Sequence, residues 1–377
     1  MAEILMNKTQ LSVILALASV AIAQPPNDLR PARDLRPAEQ VFKNIQSLKG
    51  IPADEFMSTM GFFSASTGEN CTFCHIEESG GDWARYADDN DHKKTARRMI
   101  AMVSTINKNY FNGRRMLTCY SCHRGAATPE TSPDITLLYG SPRFPEPNTF
   151  VTPPANQVPA EQILDKYIQA MGGAQKLAAV TSFSAKGIYQ GYAAPKYPME
   201  LFAKSPAQRA LNVHGDGDTT TVFDGKEAWI SGQPADMPVT PLDLTGGALE
   251  GAKLDAVLSF PARIKQSLTQ WKPATPAIID DKDMRLVQAT SDGRYPINLY
   301  FDSATGLLTR VVRYADSPVG LSPTQIDYSD YRDVAGGIKM PFKWTVSWLD
   351  GRSTITFSEV TPNAAIDAGK FARPAKR

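Results

Sequence analysis

The spacing of apolar residues changes along the chain, from helical spacing near the start to strict alternation in the second half. Two early stretches, "IPADEFMSTMGFFSAS" and "TARRMIAMVSTINKNYF", place apolar residues three or four positions apart, which predicts an amphipathic helix in each. Pro52 lies near the start of the first helix, and Asp54 and Glu55 lie in its first turn, where the helix dipole favours acids. The predicted apolar faces consist of Phe56, Met57, Met60 and Phe63 in the first helix and of Ala96, Met99, Val103, Ile106 and Tyr110 in the second.

The second half of the chain predicts two short helices followed by many strands. "PAEQILDKYIQAMGGAQKLAAV" is typical of a helix that ends at Gly172-Gly173, with a second short helix after it. From Ser182 onward, apolar and polar residues alternate with a period of two, which indicates half-buried strands. Tight hairpins are predicted at three Asp-Gly pairs, Asp224-Gly225, Asp292-Gly293 and Asp350-Gly351. The predicted fold class is multidomain α+β: a small α-helical module, then a curved antiparallel β-sheet domain with helices on one face.

Composition predicts where these regions begin and end. Lys8 and the apolar run from Leu11 to Ala23 are typical of an export signal, so we expect the mature protein to be periplasmic or otherwise extracytoplasmic. The run is short for a membrane span, and membrane anchoring is expected only if the signal stays uncleaved. Prolines recur from Ala126 to Pro159, which indicates an extended linker. The predicted regions are a signal peptide at 1–23, a helical domain at 38–126, a proline-rich linker at 127–158 and a β domain with N-terminal helices at 159–377.

Composition and charge exclude some functions. Hydrophobic residues make up 42% of the 377-residue chain and charged residues 21%, as in a globular protein with a real core. Forty basic and thirty-nine acidic side chains leave a formal charge of +1. A phosphate-binding surface needs a basic excess, so nucleic acid is not expected as a partner.

The four cysteines carry the clearest chemical signal. They form two Cys-x-x-Cys pairs, each followed at once by a histidine, in "NCTFCH" and "TCYSCH". This spacing is typical of c-type haem attachment, in which two thiols bond to the porphyrin and the histidine binds the iron. The sequence therefore predicts two c-type haems, with cofactor-binding residues Cys71, Cys74, Cys119 and Cys122 and iron ligands His75 and His123.

Three other uses of the cysteines are weaker. A four-cysteine zinc site would leave both following histidines unexplained, and the two pairs are separated by more than a zinc ribbon allows. A thioredoxin-like dithiol needs one pair in a βαβ setting, which is missing from the sequence pattern. Disulfides across two-residue loops would be strained and would stabilise little.

The sixth iron ligand decides whether a haem carries electrons or binds a small molecule. Each predicted helix places methionines upstream of its own cysteine pair, and a thioether is a common sixth ligand in cytochromes c. Methionine on an apolar helix face is also ordinary packing, so both interpretations stay open. The two remaining histidines are less suitable, because His92 lies in a polar run and His214 in an expected turn.

The segment from about Val41 to Gly125 resembles the cytochrome subunit of bacterial photosynthetic reaction centres. That family repeats a helix with a methionine ligand, a turn and a haem-binding pentapeptide, and "ARRM", "IN" and "TCYSCHRG" are the specific matches here. The family has four such motifs and donates electrons to a photo-oxidised pigment, whereas this chain has two motifs. The resemblance implies His75 and His123 as proximal ligands and Met99 as the sixth ligand of the second haem. For the first haem it implies Met60, with Met57 as the alternative.

The second half weakly resembles the folds of periplasmic lipoprotein-sorting and lipoprotein-carrier proteins. The similarity lies in the architecture and in the opening "YIQAMGGAQKLAAVTSFSAKG". It implies a half-open sheet around an apolar cavity, and a scaffold or docking role is the alternative. The sequence pattern offers no nucleophile-base pair or phosphate loop in this half, and no catalytic residue is predicted.

We therefore predict an exported dihaem c-type cytochrome that transfers electrons between redox protein partners, soluble or membrane-bound. Such a carrier makes and breaks no bond of its own. One alternative is a dihaem peroxidase-like enzyme in which one iron keeps an open sixth position. Another is an apolar-ligand-binding β domain with accessory haems. Five arginines near the motifs are candidate partners for haem propionates or ordinary surface residues: Arg97, Arg98, Arg114, Arg115 and Arg124.

Overall fold

The computed structural model describes ten stretches of the chain: 35–75, 85–133, 135, 139–140, 146–153, 155–192, 194–215, 217–232, 241–291 and 294–374. These residues all belong to one compact unit that begins at Arg33. The predicted signal peptide at 1–23 and the Asp292-Gly293 pair lie outside the described residues. No helix in the described part of the chain combines the length and the apolar character needed to cross a membrane.

Both helices predicted near the start are confirmed. The first follows Pro52 and ends at Gly68, whose positive φ of 72° suits glycine. The second begins earlier than predicted, because the Asn90 side chain caps it by accepting a hydrogen bond from the Lys93 N–H at 2.8 Å. The helices of this region are α1 (Ala38–Val41), α2 (Ala53–Thr67), α3 (Cys71–Cys74), α4 (Asp91–Tyr110) and α5 (Cys119–His123), with a 3₁₀ turn at Arg85–Ala87.

The predicted helix pair of the second half is confirmed, and the strands follow it. The helices are α6 (Ala160–Ala170), α7 (Ala174–Ala178), α8 (Gly246–Leu258) and α9 (Ile264–Ser267), with 3₁₀ turns at Pro261–Arg263 and Ala368–Phe371. The first seven strands are β1 (Ser182–Gly191), β2 (Lys196–Lys204), β3 (Gln208–Val213), β4 (Thr219–Phe223), β5 (Ala228–Ser231), β6 (Leu242–Leu244) and β7 (Thr269–Pro273). The others are β8 (Ala277–Ile279), β9 (Lys282–Thr290), β10 (Ile297–Asp302), β11 (Leu308–Ser317), β12 (Gly320–Val334), β13 (Ile338–Trp348) and β14 (Gly351–Pro362).

All described strands join one antiparallel sheet, as the alternating pattern predicts. The strand order is β6-β5-β4-β3-β2-β1-β14-β13-β12-β11-β10-β9-β7, and β8 pairs with β9. Most neighbours in the sheet are also neighbours in sequence, so hairpins build it. The long-range exception is β1, which pairs with β14 from Phe183 opposite Pro362 to Gly191 opposite Ser353. This pairing brings the two halves of the sheet together at its centre.

The main core lies between one face of the sheet and the helices α6 to α9. Tyr167 of α6 packs on Phe301 with ring centroids 5.3 Å apart, and Phe183 lies 6.0 Å from Phe260. The prediction of helices on one face of the sheet is confirmed. On the opposite face, Glu146 accepts hydrogen bonds from the Asn298 amide and the Tyr300 hydroxyl, both at 2.7 Å. The end of the proline-rich segment is therefore bound to the sheet.

The helical region (α1 to α5) contacts the sheet region (the sheet with α6 to α9) at several points. The backbone N–H and the hydroxyl of Thr245 donate to the Asp54 carboxylate at 2.6 and 2.8 Å. Phe62 of α2 lies so close to Gly320 that a side chain there would overlap its ring. The Arg115 guanidinium bonds to the Asp316 carboxylate and to a neighbouring carbonyl. The boundaries of the predicted domains and linker stay predictions.

Candidate functional site

The first Cys-x-x-Cys-His motif forms a single helical turn. The side chain of Asn70 caps α3 by accepting a hydrogen bond from the Thr72 N–H at 3.0 Å. His75 follows the last residue of α3, and its Nδ1 lies 3.0 Å from the carbonyl oxygen of Tyr86. A carbonyl only accepts, so Nδ1 carries the proton and Nε2 keeps a free lone pair. This tautomer is the one that binds a metal through Nε2.

The second motif repeats this geometry. Thr118 and Ser121 form a capping box at the start of α5. His123 is the last residue of α5, and its Nδ1 lies 3.0 Å from the carbonyl oxygen of Ala126. The same reasoning assigns the proton to Nδ1 and leaves Nε2 as the metal-binding atom. In both histidines a backbone carbonyl therefore leaves Nε2 free to bind a metal.

Burial shifts the pKa values of three groups in the two motifs. Loss of solvent, and then the charge of Lys93, lower the pKa of His75, which favours the neutral imidazole that a metal needs. Burial likewise raises the pKa of the Cys74 thiol, and of Cys119 in the second motif. None of the four cysteines forms a disulfide in the part of the chain that the structure describes. Thiols, a neutral imidazole and an unprotonated Nε2 fit the donor set of a covalently attached haem.

Each cysteine motif packs against the helix that precedes the other motif. The end of α2 lies against the second motif, where the Ser66 carbonyl accepts from the Gly125 N–H at 2.9 Å. Gly68 and Gly125 approach so closely that a side chain at Gly68 would overlap the Gly125 carbonyl. The first motif in turn lies against α4, with the ring of Phe73 centred 4.0 Å from that of His92. Each haem motif therefore contacts the helix associated with the other.

The candidate methionine ligands lie on half-buried faces. Met57 and Met60 on α2 and Met99 on α4 are all partly exposed. The side of α2 that the protein itself buries includes Thr59, Phe62 and Ser66, next to the stripe that the sequence identified. Asn107 is the one residue of α4 that is fully buried among the described residues. Met57, Met60 and Met99 stay predicted sixth ligands.

The arginines near the motifs have different roles. Arg97 pairs with Asp89 at 2.8 Å and is mostly buried, which ties α4 to the loop before it. Arg115 bonds to Asp316 in the sheet region, so it serves the contact between the two regions. Arg98 donates to the nearby Thr95 hydroxyl at 2.9 Å. Arg97 and Arg115 thus already have protein partners for their guanidinium groups.

Asn107 and Lys93 contact the segments around the two motifs, and neither is among the site residues predicted from the sequence. Asn107 donates to the Leu117 carbonyl at 2.8 Å and accepts from the Met116 and Leu117 N–H groups at 3.0 Å, so it fixes the loop before the second motif. The "IN" of the family pattern was the available signal. Lys93 donates to the Tyr86 carbonyl that also binds His75. Nothing in the sequence pattern marked Lys93.

The motif chemistry and the histidine geometry of the helical region are typical of c-type cytochromes, a class that carries covalently bound haem. Residues 5–134 match the family model described as photosynthetic reaction centre cytochrome C subunit. The Thermochromatium tepidum cytochrome c subunit is 35% identical over 24% of this chain and 22% of its own length. The Roseobacter denitrificans subunit is 35% identical over 24% of this chain and 26% of its length.

The N-terminal part of the chain is therefore similar to the cytochrome c subunits of photosynthetic reaction centres, as the sequence predicted. The chain spans about a quarter of the length of these curated relatives. Among solved structures, a LolA superfamily protein from Nitrosomonas europaea is 15% identical, with a TM-score of 0.38 over 58% of this chain and 99% of that one. A putative outer membrane lipoprotein-sorting protein domain from Vibrio parahaemolyticus is 11% identical, with a TM-score of 0.37 over 56% and 97%.

Proposed function

We propose that this protein is an exported dihaem c-type cytochrome that transfers electrons between redox partners. The observation that carries the proposal is the repeated geometry of the two motifs. In each, a one-turn helix presents two thiols, and a backbone carbonyl 3.0 Å from the histidine Nδ1 leaves Nε2 for iron. A four-cysteine zinc site or a disulfide would leave both histidines unused.

Each side chain has a definite part in this proposal. Cys71 and Cys74 would hold one haem and Cys119 and Cys122 the other, with His75 and His123 as the proximal ligands. The haems, when bound, supply one-electron chemistry at iron. The protein would bind and orient them, and the low pKa of His75 would keep its imidazole neutral.

The sixth ligands are the second part of the proposal. Met60 would serve the first haem, with Met57 as the alternative, and Met99 the second. A thioether ligand raises the reduction potential of the iron and closes the position at which peroxide or carbon monoxide would bind. The half-buried position of all three methionines on α2 and α4 supports this assignment.

The expected partners are other redox proteins, including membrane-bound ones. The names of the relatives point to a reaction centre as one candidate acceptor. Export would place the protein in the periplasm, where it could meet the periplasmic face of a membrane-bound partner.

The test is a haem count with oxidised and reduced absorption spectra of the protein from a host that attaches haem c. We expect two covalent haems per chain and the weak near-infrared band of methionine-ligated ferric iron. Met99→Ala should remove part of that band and allow the reduced protein to bind carbon monoxide. Met102→Ala is the matched control, because Met102 lies on the same helix with 44% of its surface exposed.

Two results would overturn the proposal. Protein without covalent haem from such a host would exclude the cytochrome function altogether. A high-spin ferric haem in the unmodified protein would instead establish an open iron and favour the peroxidase-like alternative.

A further inference from the structure

A cavity of about 320 Å³ lies where α2, α8 and the sheet meet. Its size is within the range of small-molecule sites. Much of its wall is apolar, and the apolar residues come from β4, β5, β6, α8, β11, β12, the end of β13 and the turn after it: Phe223, Ile230, Leu244, Ala248, Ala252, Ala315, Pro323, Trp348 and Leu349. The cavity is separate from the two cysteine motifs.

Four buried polar atoms in this wall lack a hydrogen-bond partner among the described residues. They are Nε of Arg209, Nε of Arg313, Oγ of Ser322 and Oδ1 of Asp255, and all four residues line the cavity. A buried polar group without a partner costs about 1–3 kcal/mol, and more when it is charged, so native proteins rarely leave several together. The two Nε–H groups and the Ser322 hydroxyl can donate, so a bound molecule with an acceptor group would complete the hydrogen bonds of these three.

The two arginines are held in place by their surroundings. The Arg209 guanidinium lies over the Trp344 ring, 5.6 Å from its centroid. The Arg313 guanidinium fits against α8 at Gly251, where any side chain would overlap it. Both arginines and Asp255 act electrostatically on the phenol of Tyr328, whose pKa is raised mainly by burial. The cluster is therefore compact and its donors are positioned in advance.

Charge decides the kind of molecule that fits. Two guanidinium groups and the Asp255 carboxylate give the inner cluster a net charge of +1. The other carboxylates in the wall lie toward α2 or the hairpin turns: Asp54, Glu55, Asp316 and Asp350. Thr245 donates to Asp54, and Arg115 and Arg294 pair with Asp316. One negative charge balances the inner cluster, whereas a second would meet the surrounding carboxylates.

We propose that this cavity binds an amphipathic monocarboxylate. Its carboxylate would accept hydrogen bonds from Arg209, Arg313 and Ser322, and its apolar body would lie on the cavity wall formed by Phe223 and Ile230. None of the residues proposed to hold haem lines this cavity, and the site goes beyond the proposed electron transfer.

Calorimetric titration of the full, haem-loaded protein tests the proposal with probes of one chain length. We expect decanoate to bind at least tenfold more tightly than decanol, which lacks the charge, and acetate, which lacks the chain, to give no measurable binding. Decyl phosphate at pH 8 carries close to two charges and should bind more weakly than decanoate. Equal binding of decanoate and decanol, or no binding of decanoate, would overturn the proposal.

Variants locate the binding site. Arg313→Gln should weaken decanoate binding at least tenfold and decanol binding hardly at all, and Ser322→Ala should weaken decanoate several-fold. Ala252→Met should reduce binding of both chains by filling the cavity, and it keeps the test decisive if Arg313→Gln fails to fold. Arg332→Gln is the matched control, since Arg332 is exposed and paired with Asp330. Decanoate affinity that stays unchanged in Ser322→Ala and Ala252→Met would place binding elsewhere and overturn the assignment.

Discussion

The helical region and the sheet region differ in what holds them together. Of the described residues before the sheet region, only Ala38, Ala53 and Phe62 are fully buried apolar residues. The sheet and its helices bury a continuous core that includes Phe183, Leu201 and many others. The residues proposed to bind haem all lie in the first region, and most of the described buried apolar residues lie in the second.

This difference teaches how a small cytochrome segment can be stable with little core of its own. Short helices are marginal in water without tertiary packing. The helical region gains support from its contacts with the sheet region and, in our proposal, from two haems that would cover its half-buried apolar faces. The following predictions test this contrast, from the largest expected effect to the smallest.

Replacement of all four cysteines by serine should separate the two regions most clearly. We expect the haem count to fall from two to zero, because no thiol remains for attachment. The region from Ala38 to Ala126 should lose much of its helix, while the sheet keeps its cooperative melting. Circular dichroism and limited proteolysis measure the two effects. Cleavage confined to the sheet region would contradict the prediction that the helical region depends on haem more than the sheet region does.

Leu201→Ala should destabilise the sheet region and leave haem attachment in the helical region unchanged. Leu201 is fully buried, at 0% exposure, in the core beneath the helices. We expect a loss of about 2–5 kcal/mol in the free energy of unfolding, because a cavity remains in a close-packed core. Haem count and haem spectrum should stay unchanged under native conditions. Ile188→Ala on the exposed side of β1 is the control, with an expected change within about 0.5 kcal/mol.

Asn107→Ala should weaken the loop that leads into the second motif. The substitution removes one donor and the acceptor of two backbone N–H groups, and we expect a cost of about 1–3 kcal/mol. Asn107→Asp keeps the acceptor and should cost less. Urea unfolding followed by the circular dichroism of the haem band reports this region. An equal effect from Asn109→Ala, an exposed neighbour, would contradict a specific role for Asn107.

Asp54 predicts a smaller effect that depends on pH. Burial raises its pKa above the ordinary value of 3.8 despite the hydrogen bonds from Thr245. The folded state then binds this proton more readily than the unfolded chain does. The contribution of Asp54 to stability therefore falls as pH rises from 3.8 through the higher pKa of the folded state. Asp54→Asn should therefore gain stability relative to the parent protein from pH 3.8 upward.

Thermal melting at a series of pH values measures this difference. Asp91→Asn is the control, because the Asp91 side chain is 98% exposed at the start of α4. A stability difference between Asp54→Asn and the parent that stays constant with pH would contradict the effect of burial on Asp54.

The sequence predicted local structure well and long-range contacts poorly. The helices α2 and α4 and the hairpin at Asp224-Gly225 follow from local periodicity and turn chemistry, and they are confirmed. The buried side of α2 was not predicted, because it depends on Gly320 of a distant hairpin. The contact of Arg115 with Asp316 joins residues 201 positions apart, so no local pattern could indicate it.

The candidate site shows the same division. The cysteines and histidines follow from spacing alone, whereas the carbonyls that orient His75 and His123 depend on the backbone path after each motif. The cavity near α8 had no signal in the sequence, since Arg209, Asp255, Arg313 and Ser322 come from four separate elements. The sequence shows the chemical type of each residue, but only the fold shows that Arg209, Asp255, Arg313 and Ser322 line one cavity.

Helix α2 carries candidate haem ligands and also lines the cavity, so the proposed haem and the proposed ligand of the cavity can be thermodynamically coupled. Its first two turns line the cavity through Asp54, Glu55 and Ser58, and the same helix carries Met57 and Met60. A molecule in the cavity that favours one oxidation state of the haem must shift the reduction potential, and oxidation must shift its affinity by the same factor. A tenfold preference corresponds to about 59 mV for one electron. Binding of a molecule in the cavity would then regulate the reduction potential of the haem.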